Sequence, residues 1–188
     1  DASVPDAAAG APGTPESSLD PPATASDDHN FIHDVKRGAS GGDGDDGYGV
    51  RACIPYTDIC VELKYAGTDG GDGHKGPNKY LNVPNSYGAI ETVSPHLAGI
   101  ELGRIGGNGG KGGDFYGNIK GRAGGDAGAG GDVTLDTDVQ ISTLGEGAHG
   151  VFVHSRAGRA GDGGAGYIWS AGGSGGSSAR GGVVRVTN

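Results

Sequence analysis

The chain has 188 residues, 43 of them glycine, with 34% hydrophobic and 6% aromatic residues and a formal net charge of −9. A conventional core would be thin at this composition, so a fold must recover the backbone entropy of so much glycine through dense main-chain hydrogen bonding. The acidic balance, without a basic patch interleaved with aromatics, excludes nucleic acid as a partner, and no stretch nears the ~20 apolar residues of a membrane span.

Residues 1–26 are rich in Ala, Pro, Ser, Asp and Thr. They read as a flexible or extended N-terminal arm, or as a strand that docks on a neighbouring subunit. Methionine is absent and the chain starts Asp1-Ala2-Ser3, which suits a processed, exported product. The segment "DDHNFIHDVKRG", 27–38, suggests one short helix. Asp28 would cap it, Gly38 would end it, and Phe31, Ile32 and Val35 would share a face.

Residues 27–188 read as a single domain in which two textures alternate. One is glycine on a period of three: 41–49, 70–78, 106–114 ("GGNGGKGGD"), 121–132, 157–166 and 172–177. Period 3 fits neither strand nor helix but matches polyproline II, where bare glycine lets neighbouring chains approach and hydrogen-bond sideways. The third positions, such as Asn108, Lys111 and Asp114, would face solvent. Flexible linkers are the alternative, but they need no fixed frame and rarely recur so often. The other texture is short and strand-like: 48–54, 59–65, 88–93, 99–105, 133–142, 150–155 and 182–187, several alternating apolar and polar. Segments 98–114 and 149–166 share one pattern of strand followed by glycine arm, and such repetition points to a stacked, solenoid-like domain.

Cys53 and Cys60, the only cysteines, suggest one disulfide across a turn containing Pro55. Two buried thiols are the alternative, and the spacing matches zinc poorly. "GGDGDDGYG", 41–49, fits a calcium nonapeptide and makes Asp43, Asp45 and Asp46 candidate ligands. It occurs once, where calcium rolls need tandem copies, so an exposed acidic turn is the plainer reading. His29 and His33 are spaced for one helical face, without the glutamate of a zinc protease. No nucleophile elbow or phosphate loop occurs. Glu62, Glu91, Glu101 and Glu146 lie on or beside strands with nothing to mark a catalytic pair. Tyr167, Ile168 and Trp169 form a dense apolar cluster that suits a contact patch or a plug between arms.

Residues 133–164 resemble the passenger repeats of Gram-negative autotransporter adhesins, through Gly145, Gly147, Ala148, Gly150, Val151, Val153 and Ser155. Segments 98–113 and 181–188 look like partial copies. The resemblance covers roughly residues 88–188 and implies a secreted right-handed β-solenoid working in adhesion or aggregation. The membrane barrel of that family is not within these residues, and a disulfide is unusual in such passengers. The glycine triplets also resemble the polyglycine-II bundles of some arthropod antifreeze proteins and phage receptor-binding tips. Together these readings give an all-β domain of short stacked strands with packed polyglycine-II arms. The function expected is non-enzymatic and extracellular, probing the cell surface or a glycan as an adhesin, or self-associating into a bacterial filament. A glycan- or ice-binding module is the alternative.

Overall fold

The computed structural model describes residues 28, 30–53, 60–65, 67–117, 120–168 and 170–188, and gives the backbone alone for 50–53 and 60–64. The fold is all-β, and no α-helix occurs among the described residues. The expected arm 1–26 lies outside them.

The glycine runs organise the molecule. Six extended arms, called first to sixth, cover residues 38–47, 67–78, 106–114, 121–132, 157–165 and 171–183. The odd arms lie parallel in one layer. Gly38, Gly41 and Gly44 donate to the carbonyls of Ile105, Asn108 and Lys111, and Gly106, Gly109 and Gly112 donate to Arg156, Arg159 and Asp162, at 2.7–2.9 Å. The even arms form a second layer in the same way, with Gly70, Gly73 and Gly76 donating to Ala123, Asp126 and Ala129. Gly124, Ala127 and Gly130 then donate to Ser174, Ser177 and Arg180.

Consecutive arms run antiparallel across the two layers. Gly71 donates to Gly42, Gly110 to Gly71, Gly125 to Gly110, Gly161 to Gly125 and Gly176 to Gly161, so one line of bonds crosses all six arms. This close approach is why glycine recurs. A Cβ on Gly110 would overlap the carbonyl of Gly42, lying 2.5 Å from its carbon.

Strands continue the arms at both ends. At the base, β1 (Ile32–Arg37), β6 (Ile100–Ile105) and β10 (Val151–Arg156) pair in parallel and lead into the odd arms. The even arms run into a second parallel sheet of β4 (Lys79–Val83), β8 (Val133–Thr137) and β12 (Val184–Thr187). A third pair, β5 (Ile90–Thr92) and β9 (Ile141–Thr143), lies in the connections between these sheets. At the tip stand β2 (Gly47–Cys53), β3 (Cys60–Tyr65), β7 (Phe115–Tyr116) and β11 (Gly166–Tyr167), in the order β11-β7-β2-β3.

The main apolar cluster lies at the base, and Phe115, 1% exposed, is buried apart from it at the tip. Ile100 and Leu102 of β6 meet Val83, Val133 and Leu135 of the facing sheet, with Ile90 and Val139 in the same cluster. Where the core gives way to the glycine layers, the chain buries a charge. Arg104 is 2% exposed and donates to the Asp34 carboxylate at 2.8 Å and to the Asp34 carbonyl at 2.7 Å. Lys79, from the other sheet, reaches the same carboxylate at 2.8 Å. The three residues tie the two layers together. Burial alone would raise the Asp34 pKa, but the hydrogen bonds and charges of Arg104 and Lys79 outweigh it and hold the group at about 2.

The expected helix over 27–38 is a strand. Ile32 to Arg37 pair residue for residue with Ile100 to Ile105, and Phe31 and Ile32 pack against the core. An extended β1 passes directly into the first arm, and the parallel partner overrides the local helical spacing. The strand expected over 133–142 divides into β8 and β9, and β4, β7 and β11 were not anticipated.

Two predictions follow from these contacts. Gly110→Ala destabilises the protein by about 1–3 kcal/mol or more through overpacking, whereas Gly175→Ala, whose Cβ would lie 3.5 Å from the nearest atom, leaves the denaturation midpoint nearly unchanged. Because the Asp34 pKa is depressed from 3.8 to about 2, its contribution is present above pH 4 and is lost as pH falls towards 2. Asp34→Asn flattens that part of the stability-against-pH curve in a denaturant titration.

Candidate functional site

In the third arm, and in most of the fourth, each three-residue unit uses one amide within its layer and one across the layers, which leaves a third. Side chains take it. Ser40 Oγ, Asp43 Oδ1 and Asp46 Oδ1 accept the amides of Asn108, Lys111 and Asp114 at 3.3, 2.7 and 2.8 Å. In the even layer Asp69, Asp72 and Asn78 accept those of Ala123, Asp126 and Asp132 at 2.8–3.0 Å. One coil further on, Asn108 and Asp114 accept from Arg159 and Ala165, while Asp126 and Asp132 accept from Ser177 and Val183. The third positions therefore brace neighbouring arms as well as lining the outer faces. Lys111 bonds Asp114 at 2.8 Å, which raises the lysine pKa and lowers that of the carboxylate.

The candidate calcium ligands belong to this scheme. Asp43 and Asp46 reach the third arm, while the Asp45 amide donates to Thr68 Oγ1 at 2.6 Å. Among the described residues no group of three or more His, Cys, Asp or Glu is gathered for a metal. His33 is 3.1 Å from the Glu101 carboxylate across β1 and β6. His29 lies outside the described residues.

The tip carries a row of tyrosines. Tyr65, Tyr48, Tyr116 and Tyr167 are register partners on adjacent strands. Tyr48 stacks on Tyr65 at 5.6 Å, and Tyr116 on Tyr167 at 4.6 Å and 6° between planes. All four are exposed. The proximity of Tyr167, then burial and the acids Asp46 and Asp114, push the Tyr116 pKa up. In the expected contact patch, Tyr167 belongs to this row, Ile168 is 70% exposed, and Trp169 lies outside the described residues. Sequence reasoning singled out only the Tyr167 end, although "GYG", "FYG" and "GYI" mark the same place in each coil. Cys53 stands directly opposite Cys60 in the β2–β3 register, and Pro55 lies outside the described residues.

The most distinctive surface is the open side formed by the fifth and sixth arms. By register, Ala157, Ala160 and Gly163 correspond to Gly106, Gly109 and Gly112, and Gly172 and Gly175 correspond to Gly121 and Gly124. The earlier amides all donate to a neighbouring arm. Their counterparts have no backbone acceptor among the described residues. The same side exposes Val151, Val184 and Val186, at 36, 40 and 50%, whose register partners Ile100, Val133 and Leu135 are fully buried. Arg156, Arg159, Arg180 and Arg185 lie along this side, while Asp43, Asp45, Asp46, Asp69 and Asp72 lie on the first two arms.

No family model matches the chain, and no curated protein matches it. Among solved structures, a nine polyproline type II helical bundle springtail antifreeze protein from Granisotoma rainieri is 21% identical, with 62% of this chain and 93% of that chain covered and a TM-score of 0.15. Among the described residues no helix is long and apolar enough to cross a membrane.

The bracing role of the third positions is testable at Asp72. Asp72→Asn keeps an acceptor for the Asp126 amide and stays within about 0.5 kcal/mol of the parent, while Asp72→Ala loses about 0.5–1.5 kcal/mol in urea unfolding.

Proposed function

We propose that this protein is a non-enzymatic extracellular structural or adhesive module that grows by adding chain to its open side. In this reading the coils form a two-layered solenoid and the arms are polyglycine-II helices. The three-residue spacing of the donors and the parallel offsets of 68, 54 and 51 residues between successive coils support that description. A Cys53–Cys60 disulfide closing the tip hairpin belongs to the same proposal. Directly opposed antiparallel residues have Cα atoms about 4.5–5.5 Å apart, inside the range a disulfide spans.

The observation that carries the proposal is the coincidence of unpaired donors and exposed valines on one side of the molecule. A repeat structure needs its terminal face covered, and an edge with free amides is a template for a further chain. The occupant that fits is a second copy. Its first two arms would present carbonyls in the required three-residue frame. Because the two surfaces differ, the contact is heterologous and propagates instead of closing as a dimer. The N-terminal segment is a further candidate for the joining strand. Pro5, Pro12, Pro15, Pro21 and Pro22 supply acceptors while lacking amides.

Blocking the edge tests the proposal. Ala160→Pro with Gly175→Pro removes two outward amides while leaving an extended backbone that proline tolerates. The parent chain is expected to form concentration-dependent polymers by sedimentation and electron microscopy, and the double variant to sediment as a monomer with an unchanged circular dichroism spectrum. Polymers of both chains alike would refute edge addition, and their loss on deleting residues 1–26 alone would assign the joint to that segment.

A second reading, a glycan-binding module, draws support from the exposed tyrosine row at the tip. It differs in requiring no assembly, so the monomeric double variant would retain full binding.

A further inference from the structure

The tip holds a pair of rings whose chemistry the fold leaves unused. Tyr116 and Tyr167 are register partners on β7 and β11, so parallel strands about 4.8 Å apart set them side by side. Their ring centres lie 4.6 Å apart, with 6° between planes. The two residues are 48 and 41% exposed, open to a reagent in solution. The charge of Tyr167, then burial, the acids Asp46 and Asp114, and lastly a hydrogen bond with Tyr167 raise the Tyr116 pKa. The hydroxyls therefore stand together as the rings do, and with them the carbons that flank each hydroxyl, the Cε atoms.

The surroundings single this pair out for oxidation. A stacked pair shares the positive charge left when one electron is removed, and nearby carboxylates stabilise that charge; Asp46 and Asp114 are close enough to act on Tyr116 in this way. Tyr80 and Tyr87 are also exposed, but neither stacks on another ring among the described residues. Tyr48 and Tyr65 do stack, at the wider spacing of 5.6 Å and a tilt of 19°. The chain has no methionine, whose thioether is a common sink for oxidants. Backbone pairing between β7 and β11 covers two residues, where β1 and β6 pair over six, so a covalent bond at this joint adds most to what the backbone holds.

We propose that Tyr116 and Tyr167 form an oxidative cross-linking site, joined by a bond between their Cε atoms when a peroxidase and hydrogen peroxide act on the chain. Each phenol loses one electron and one proton, leaving two phenoxyl radicals with unpaired density on Cε. Their coupling forms one Cε–Cε bond. The hydrogen on each of those carbons then moves through solvent to the ring's own oxygen, which restores both phenols. The chain loses two hydrogen atoms in all, and one peroxide takes up the two electrons and two protons to give two waters. The rings must turn from face-to-face to edge-to-edge about χ2, a soft torsion that exposed side chains are free to use. The bond lies within one chain and uses none of the outward amides, valines or arginines of the open side. It stands whether or not the molecule assembles, and it needs no glycan at the tip.

The test treats the full chain, at a dilution where sedimentation shows monomer, with a plant peroxidase and hydrogen peroxide. Dityrosine fluorescence should appear, and the monomer should lose the mass of two hydrogen atoms. Tandem mass spectrometry should join the peptides that carry Tyr116 and Tyr167. Tyr116→Phe and Tyr167→Phe keep the ring stack, with unchanged melting curves, and each should cut the fluorescence at least tenfold. Tyr80→Phe should leave it unchanged, and parent chain unfolded in urea before oxidation should lose the intrachain product. No dityrosine from the parent, a link mapped to Tyr48 and Tyr65 or between chains, or an equal yield from Tyr116→Phe or the unfolded chain would overturn the proposal. The edge-blocked variant Ala160→Pro/Gly175→Pro should cross-link as well as the parent; a lower yield would also overturn it, by tying the pair to assembly.

Discussion

The structure depends on the distance at which two backbones can lie when nothing stands between them. The line of amides from Gly176 through Gly161, Gly125, Gly110 and Gly71 to Gly42 exists because a Cβ at Gly176, Gly161, Gly125 or Gly110 would overlap the carbonyl of a neighbouring arm. Each bond contributes little net stability against water. Collectively they hold the glycine layers between the apolar cluster at the base and the buried Phe115 at the tip, where hydrophobic burial is scarce. The cost is the large conformational entropy of glycine, and the regular frame offsets it by satisfying nearly every interior polar group at once. This division of labour explains the composition. Apolar residues gather where strands form, polar residues occupy the outward third positions, and glycine fills what remains.

The frame also dictates where chemistry can occur. Inward and sideways positions are consumed by the arms, so only the outer third positions, the ends and the open side carry side chains free to vary. On most outer positions the side chain is itself structural, as Asp43, Asp72 and Asp126 show. A carboxylate held by a backbone amide is a poor candidate for catalysis or for independent metal binding. The sites that remain are those that depart from the bracing pattern: the tyrosine row and the unpaired edge.

Much of this was legible in the sequence. The short alternating segments marked an all-β chain, and the three-residue period marked where the extended glycine runs lie. What misled was local spacing without its partner. Phe31, Ile32 and Val35 fit a helical face, but β6 supplies a parallel edge that no local rule contains. "KYLNV" alternates well enough for a strand, yet a stretch this short between Pro77 and Pro84 carries too little pattern to mark an element. The solvent role first given to Asn108 and Asp114 missed their bonds to the fifth arm, because the identity of a neighbouring chain is a tertiary fact. The tyrosine row was hidden for a similar reason. Its members are separated by glycine arms in sequence and become neighbours only through the coil offset.

The open side shows how such a frame distributes its own incompleteness. In a closed barrel every edge amide would find a partner, but a stack of coils must end somewhere. Among the described residues the β2–β3 hairpin lies beside β2, so the tip edge is paired there, while β1 and β4 at one side of the base and β10 and β12 at the other each have one strand neighbour. Charge or proline at a free edge deters pairing, and this edge sets Arg156, Arg159 and Arg180 among Ala157, Ala160, Gly163, Gly172 and Gly175, so charged side chains are interleaved with small residues. The last two arms thus keep the outward donor frame of the interior arms, at Ala157, Ala160, Gly163, Gly172 and Gly175, without a backbone acceptor among the described residues.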